Sequence, residues 1–496
     1  MSSIKTLAGD TMIYGLSTIL TRMLNYLMVP YLTRVMTEVQ YGVVTDLYSL
    51  IPFALVILTM GLESGFFRFA GKADGDGEKR RVFAATWGAT ILAAVVFFGI
   101  VGLFNNPIAG WTGYADHPSY VWMTGLVVML DVAGAMPFAR LREQRRRMRY
   151  VAVRLASVVV NLVLCLFFYS VLPRLAAGGE GFWTTIWNPG FGAGYVLVAN
   201  VAASAVALVM LLPTVGGIAP RIERRVFRQV MLYSLPLLVS GIAGTGNEFI
   251  DRQMIKWLMP GETAMSALGI YGATTKLAVI MILFTQMYRL AAEPFFLARF
   301  KKEDFVQQTA QAMKYYIIVT VVIFLGIMLF SDIIVLILGE RFRGGSHLLP
   351  ILLIANALAG VVLNLSFWYK QMSRTWTAII ITGTGLAFTV GFNILLIPRM
   401  GYEGAAWARL ICEGAMVAVS IWLNQKYCPT PYDFRRIGLY LLLGGAFYAA
   451  SLWTADLGVW LKYGLNAVML CAFLAFAAWR EGFLRKYILK NDNKSN

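Results

Sequence analysis

The chain has 496 residues, of which 58% are hydrophobic and 14% charged, and its mean hydropathy is +0.66. Because about a quarter of a soluble domain is charged, this composition excludes an ordinary soluble protein. The formal net charge of +17 could indicate nucleic-acid binding, but its distribution along the chain points to membrane topology. The four scattered cysteines and two loop histidines predict no disulfide framework, metal site or other cofactor.

Apolar segments long enough to cross a bilayer as helices follow one another along the whole chain. Because the N-terminus lacks the features of a secretory signal peptide, the first span is expected to be retained. Fourteen spans are predicted, at 12–35, 43–68, 82–104, 119–139, 151–172, 191–212, 231–258, 266–290, 315–338, 348–369, 376–397, 405–424, 437–455 and 459–479.

The connections between these spans alternate in basic content. Most of the 43 lysines and arginines lie in connections on one side, including the run from Arg140 to Arg149 and the tail after the last span. Short loops rich in Lys and Arg stay cytoplasmic, so both termini are predicted to be cytoplasmic. The Arg140–Arg149 run would resemble an RNA-binding arm in isolation, but a topology anchor between two spans explains it better.

An internal repeat divides the chain. Tyr41-Gly-Val-Val-Thr-Asp46 recurs as Tyr271-Gly-Ala-Thr-Thr-Lys276, and Phe66-Phe67 recurs as Phe295-Phe296, in the same order. Two copies of six spans each predict a parallel repeat about an axis along the membrane normal. The predicted organisation is a six-helix lobe at 1–213, a basic cytoplasmic linker at 214–229, a second six-helix lobe at 230–424, and two further helices with a basic tail at 425–496.

Basic residues inside the spans are the first candidate site. Each costs about 2.5–3.5 kcal/mol at a helix centre, so such residues normally face a bundle interior or an aqueous cavity. Arginine grips phosphate oxygens in pairs and lysine offers a point charge, so the set predicts a substrate site for an anion such as pyrophosphate. Its members are Arg22, Arg68, Arg252, Lys276 and Arg289.

Several of these basic residues have structural alternatives. Arg68 and Arg34 equally fit snorkelling to an interface, and snorkelling is favoured for Lys256. Arg252 could pair with Glu248 and Arg289 with Glu293, each one helical turn away. Arg22 has no such partner, which makes it the best single candidate.

Acidic residues within or beside the spans are candidates for ion coupling or gating: Asp46, Glu63, Asp131, Glu248 and Glu413. They could carry a proton or sodium ion, although Glu413 could also form a structural pair with Arg409. Asp46 and Lys276 occupy equivalent repeat positions with opposite charge, so we expect them to hold the outer mouth closed. Pro52, Pro137, Pro236 and Pro294 are expected to loosen helices and act as hinges.

Several short motifs together resemble one family. They are Tyr14 through Leu-Thr-Arg34, Tyr41-Gly42, Phe66-Phe67-Arg68, Pro137-Phe-Ala-Arg140 and Asn393 through Pro398 to Gly401-Tyr-Glu-Gly404. In this order, and with fourteen spans, they resemble the polysaccharide transporter family, the O-antigen and capsule flippases of the multidrug/oligosaccharidyl-lipid/polysaccharide superfamily.

The resemblance implies an all-α, V-shaped transporter in the bacterial cytoplasmic membrane. Its substrate would be an undecaprenyl-pyrophosphate-linked oligosaccharide, moved to the outer leaflet by alternating access and coupled to H⁺ or Na⁺, with the lipid tail leaving through a gap between spans 1 and 8. Membrane lipids and the polysaccharide polymerase and chain-length machinery are further partners that it suggests, and nucleic acid is not.

Three alternatives remain at this point. A lipid II flippase also has fourteen spans, although its first helix is richer in arginine than this one. A multidrug/cation antiporter usually has twelve spans and a cavity suited to cations. A membrane polymerase or ligase would be an enzyme with a sizeable outer loop, and the longest outer connection here, from Pro173 to Gly190, is short.

Overall fold

Helices dominate the computed structural model, which describes residues 15, 19–178, 181–299, 304–372, 374–454 and 457–482. Within these ranges no strand is present, as expected where lipid leaves each backbone N–H and C=O to be satisfied inside its own segment. The helices are α1, residues 19–26; α2, Met28–Val35; α3, Glu38–Thr59; α4, Leu62–Ala70; α5, Asp76–Leu103; α6, Asn105–Trp111; α7, Pro118–Glu143; α8, Arg147–Leu166; α9, Leu172–Ala176; α10, Phe182–Ile186; α11, Gly194–Val215; α12, Arg224–Leu258; α13, Gly261–Leu277; α14, Val279–Arg299; α15, Phe305–Met328; α16, Ser331–Val335; α17, Leu349–Leu365; α18, Phe367–Gln371; α19, Thr375–Met400; α20, Tyr402–Tyr427; α21, Phe434–Trp453; and α22, Val459–Arg480.

The described helices include 12 that are long and apolar enough to cross a membrane. The pair Thr263–Leu277 and Val279–Glu293, bent by 47°, adds one more if it is a single broken span. The chain is therefore an all-α, multi-pass membrane protein, as predicted. The first of the fourteen expected spans, at 12–35, lies partly outside the described residues.

One of the predicted spans that the structure divides is the second, at 43–68. The second is divided into α3 and α4 at Met60 and Gly61, which both have left-handed backbones with φ of 52° and 66°. At Gly61 an added Cβ would lie 3.1 Å from the backbone oxygen of Ser234, so the break also permits a close approach of α12. By contrast, Pro52 and Pro236 lie inside helices that continue past them. The helix break at Met60 and Gly61 therefore lies at a different position from these two expected proline hinges.

The described chain forms two compact units. The first comprises the described residues up to Ala273 together with Leu386–Ala405, and the second comprises Thr274–Gly385 and the described residues from Ala406 onward. In the first unit α7 packs against α5 and α11, and α12 packs against α3, α4 and α5. In the second unit α15 packs against α17, α21 and α22. The predicted division into two repeat lobes remains a prediction.

Each unit has its own apolar core. In the first, Leu62, Phe66, Phe83 and Met136 are fully buried where α4, α5 and α7 meet. In the second, a separate cluster on α15, α21 and α22 includes Tyr316, Leu325, Tyr440 and Phe473. These cores hold the helices that carry the charged side chains described next.

Candidate functional site

The C-terminal half of α12 carries a buried ion pair between neighbouring residues. The Arg252 guanidinium donates to the Asp251 carboxylate at 3.0 Å and to the Glu248 backbone carbonyl at 2.7 Å. Both side chains are largely shielded, with 12% of Arg252 and 3% of Asp251 exposed. The expectation that Arg252 pairs with the Glu248 carboxylate is therefore corrected, because Asp251 supplies the charge and Glu248 only its backbone oxygen.

Asp251 is held from a second side by α13. The Tyr271 hydroxyl donates to the other oxygen of the Asp251 carboxylate at 2.5 Å, and both residues are buried. A buried charge must be paired and hydrogen-bonded to be tolerated. The pair with Arg252 and the hydrogen bond from Tyr271 meet that requirement, and they join the last turns of α12 to α13.

A second buried cluster joins α12 to α3. Asp46, which has no exposed surface, forms an ion pair with Lys256, accepts a short hydrogen bond from Tyr114, and accepts another from Gln253 at 2.5 Å. Gln253 also donates to the Ser49 hydroxyl at 2.8 Å. Three donors on one carboxylate make this a fully compensated anion within the membrane-spanning part of the chain.

Lys256 was expected to snorkel to an interface, and this is wrong. Its side chain is only 10% exposed, and its ammonium group also lies 4.3 Å from the centre of the Tyr114 ring. A counter-ion and an aromatic face together compensate the cation locally, so the side chain has no need to reach water. Lys276, the partner first expected for Asp46, is exposed on α13, and its link to Asp46 remains a prediction.

Backbone contact between α3 and α13 accompanies these clusters. A Cβ added to Gly42 would lie 1.9 Å from the Met265 carbonyl oxygen, and one added to Gly269 would lie 2.1 Å from the Glu38 carbonyl oxygen. Only glycine permits this approach, as at other close helix crossings in membranes. Glu38 also accepts a hydrogen bond from the Ser266 hydroxyl. We call this region, from Asp46 and Lys256 to the Gly42–Gly269 crossing, the α3–α12–α13 contact.

Two residues of the predicted anion site influence one tyrosine of the first unit. Arg22, Glu248 and Arg252 all act electrostatically on Tyr26 of α1, and Arg22 and Glu248 are exposed. Two of the five predicted basic residues and one predicted carboxylate therefore act on the same side chain. Arg252 is largely shielded and paired with Asp251, and the role of these arginines in binding an anion remains a prediction.

Arg68 lies outside this group. Its guanidinium covers the Tyr233 ring at 4.4 Å on an exposed part of α4 and α12. Glu63, on the same short helix, forms an ion pair with Arg142 of α7, and both side chains are more than 40% exposed. These contacts give Glu63 a structural partner and leave its coupling role a prediction.

Asp131 lies among α7, α8 and α11. It accepts a hydrogen bond from Ser204 and faces the charge of Arg154, whose guanidinium in turn lies over the Phe138 ring at 4.1 Å. These neighbours stabilise a carboxylate inside a helix bundle without placing it beside Arg22.

The remaining predicted residues lie in the second unit. Arg289 pairs with Glu293 at 3.2 Å, as the one-turn spacing predicts, and Lys370 reaches the same carboxylate at 3.1 Å. Glu413 is buried on α20, one turn from Arg409, whose guanidinium donates to the Asn356 side chain at 3.2 Å. The roles of Arg289 and Glu413 in transport remain predictions.

Sequence reasoning missed most of the polar groups that hold the buried clusters. Tyr114, Gln253 and Tyr271 drew no attention because neutral side chains give no charge signal in an apolar chain. One signal was available: Gln253 and Lys256 are three residues apart on α12 and therefore share a helix face. Two polar side chains on one face of a spanning helix indicate a partner on a neighbouring helix.

The described helices, of which 12 are long and apolar enough to cross a membrane, define a polytopic membrane protein with ion-paired charges inside its helical bundles. The model of the polysaccharide biosynthesis protein family matches residues 7–297, and the chain belongs to that family. No curated protein sequence matches the chain.

Solved structures share the fold at low sequence identity. The lipid II flippase MurJ, in an inward closed conformation, is 11% identical and superposes with a TM-score of 0.75 over 96% of this chain and 100% of that one. An inward-facing multidrug resistance MATE family transporter of the MOP superfamily is 13% identical, with a TM-score of 0.60 over 81% and 97%. The MATE multidrug transporter DinF-BH is 15% identical, with a TM-score of 0.56 over 86% and 95%. The fold is that of the MOP-superfamily transporters.

Proposed function

We propose that this protein is a flippase that moves an undecaprenyl-pyrophosphate-linked oligosaccharide from the inner to the outer leaflet of the cytoplasmic membrane. The observation that carries the proposal is membership of the polysaccharide biosynthesis protein family, in a chain whose helices α1 and α12 carry the basic residues Arg22 and Arg252. A pyrophosphate offers the oxygens that two guanidinium groups recognise. Membership of the family supplies the link to polysaccharide assembly.

The α3–α12–α13 contact is the outer gate in this proposal. Closing it buries Asp46 against Lys256 and brings Gly42 against Gly269, and opening it would have to separate these groups. Alternating access needs an element with two discrete arrangements. A gate made of a buried ion pair and a glycine crossing meets that need, because both contacts are lost together when the helices part.

Glu248 is the carboxylate that we propose for ion coupling. Unlike Asp46 and Asp251, it is exposed, and its backbone carbonyl accepts a hydrogen bond from Arg252. Binding of H⁺ or Na⁺ at Glu248 would change the charge that the substrate meets. We expect Glu248→Gln to retain substrate binding and to lose the dependence of transport on the ion gradient.

The similarity to MurJ favours one second candidate, a flippase for lipid II. The substrates of both candidate flippases have a sugar linked to a polyprenyl pyrophosphate, and the same anion contacts would bind either one. The two functions therefore differ only in the glycan that the protein accepts. Transport of each lipid-linked glycan by the purified protein in vesicles would separate them. A multidrug antiporter would instead move a cationic dye and ignore both.

Complementation with Arg22 variants tests the anion site. In a strain lacking the gene, Arg22→Ala should abolish surface glycan and accumulate the lipid-linked precursor, while Arg22→Lys should restore part of it because the charge remains without the planar fork. Arg174→Ala is the matched control, since Arg174 is an exposed arginine on the short helix α9 and is not among the charges that act on Tyr26. Normal surface glycan with Arg22→Ala, at normal protein abundance, would refute the anion site.

A further inference from the structure

A charged cavity lies in the first compact unit. It has a volume of about 420 Å³ and opens where α4, the start of α5 and the end of α7 meet. The volume lies within the range of small-molecule sites. None of the five residues assigned to the transport site lines it.

The buried part of the cavity lining is partly apolar. Phe66 and Phe83 are each 1% exposed and pack edge to face at 5.9 Å. Arg140, which is 8% exposed, lies over the Phe83 ring at 4.6 Å and donates to the Val215 carbonyl at 2.9 Å. A guanidinium has five N–H donors, so this hydrogen bond leaves donors of a buried arginine for an occupant of the cavity.

The walls carry an excess of positive charge. Four basic side chains line the cavity against two acidic ones, Asp76 and Glu143. Lys79 pairs with Glu143 at 3.4 Å. Within the part of the chain that the structure describes, no ion pair is found for Arg80 or Arg146.

The arginines of the cavity also repel one another. The positive charges of Arg80 and Arg146 act unfavourably on the Arg140 guanidinium, and the charge of Glu143 offsets part of this effect. Membrane topology requires basic residues in these connections. It does not require Arg140 to be buried in the lining of an open cavity that Arg80 and Arg146 also line. An anion in the cavity would relieve the repulsion and satisfy the free donors.

We propose that this cavity binds a phosphate group, and that the phosphate belongs to the headgroup of an anionic phospholipid. The connections that carry Arg80 and Arg146 are the basic ones predicted to be cytoplasmic, so the cavity lies at the level of the inner-leaflet headgroups. Basic pockets between transmembrane helices on that side bind such headgroups. A bound headgroup would join α4 to α5 and α7, just after the break at Met60 and Gly61.

The test compares two double variants of the full-length chain. Arg80→Gln with Arg146→Gln removes two charges from the cavity wall, and both side chains are exposed, so the fold should be retained. Arg224→Gln with Arg225→Gln is the matched control, because it removes the same charge from exposed positions that do not line the cavity. Equal melting temperatures in phosphatidylcholine nanodiscs would establish that both variants are folded.

Binding of phosphatidylglycerol is then measured by native mass spectrometry. The cavity variant should bind it about thirtyfold more weakly than the wild type, which corresponds to about 2 kcal/mol at about 1 kcal/mol per basic residue. The control variant should change by less than about threefold. Equal weakening in both variants would mean diffuse surface attraction and would overturn the proposal.

Soluble probes distinguish the source of the phosphate. Glycerol 3-phosphate and inorganic phosphate are added to the protein in neutral lipid, and the melting temperature is followed. If only phosphatidylglycerol binds the cavity, the lipid assignment stands. If the soluble anions raise the melting temperature of the wild type but not of the cavity variant, and the lipid does not bind, the phosphate site stands and the lipid assignment is overturned. If neither phosphatidylglycerol nor the soluble anions bind, both the phosphate site and the lipid assignment are overturned.

Discussion

Replacing Lys256 with methionine tests whether the Asp46 carboxylate depends on its buried counter-ion. Asp46 has no exposed side-chain surface, and methionine keeps much of the lysine volume while leaving the carboxylate with only the neutral donors Tyr114 and Gln253. Removing one partner of a buried pair costs about 3–5 kcal/mol, because the other charge stays buried without compensation. We expect Lys256→Met to lower the free energy of unfolding by that amount.

The double variant Asp46→Asn with Lys256→Met separates pairing from packing. A neutral pair of similar shape leaves no buried charge, so its cost should be at least about 2 kcal/mol less than the sum of the single variants. The assay is denaturant unfolding of the purified full chain in detergent. Asp332→Asn is the control, since Asp332 is 56% exposed in its ion pair with Lys462 and such pairs are worth about 0–1 kcal/mol. Strict additivity, or a loss with Lys256→Met no greater than with Asp332→Asn, would refute the reasoning.

Two further predictions concern the α3–α13 crossing and the end of α22. Gly42→Ala should lower the melting temperature and transport, because its Cβ would lie 1.9 Å from the Met265 carbonyl oxygen, whereas Gly99→Ala, with nothing within 4 Å, should be neutral or stabilising; equal effects would contradict the crossing. Glu481 is buried, which raises its pKa, but hydrogen bonds and the charge of Lys314 outweigh this and hold the pKa below its ordinary value of 4.5. Its stabilisation is therefore present above pH 4.5 and lost as the pH falls through the lower folded-state pKa, so the melting-temperature difference between wild type and Glu481→Gln should shrink from pH 6 to pH 3. A difference that stays constant over this range would show that the ion pair with Lys314 contributes nothing.

The fold could be predicted from the sequence because lipid imposes strong rules on composition. Apolar length indicates the spans, and α7, α11, α21 and α22 begin and end within about four residues of the predicted positions, whereas α15 begins and ends ten residues before the span predicted at 315–338. The breaks could not be predicted in the same way. Met60 adopts a left-handed backbone although it is not glycine. The close approach of α12 at the neighbouring Gly61 is a tertiary feature, which local sequence does not encode.

The candidate site was predictable only in its charges. The sequence pattern singled out Asp46 and Arg252 because charge inside a span is costly. Their partners depended on which helix faces meet, and the one-turn rule chose Glu248 for Arg252 where the structure has Asp251. The same rule was correct for Arg289 and Glu293. Their side chains are partly exposed, and the Glu293 carboxylate pairs both with Arg289 on its own helix and with Lys370 of α18.

The length of α12 has a mechanical consequence. Its 35 residues extend about 52 Å at 1.5 Å per residue, whereas the hydrocarbon layer is about 30 Å thick. About four turns must therefore project into water or headgroups, and the helix continues through Pro236 without a break. At one end Glu223, immediately before the helix, bonds Arg81 of α5 at 2.6 Å, and at the other end lie Asp251 and Lys256. Such a helix can act as a lever, so that a tilt of its N-terminal end, set by groups outside the bilayer, would move the ion pairs near its C-terminal end.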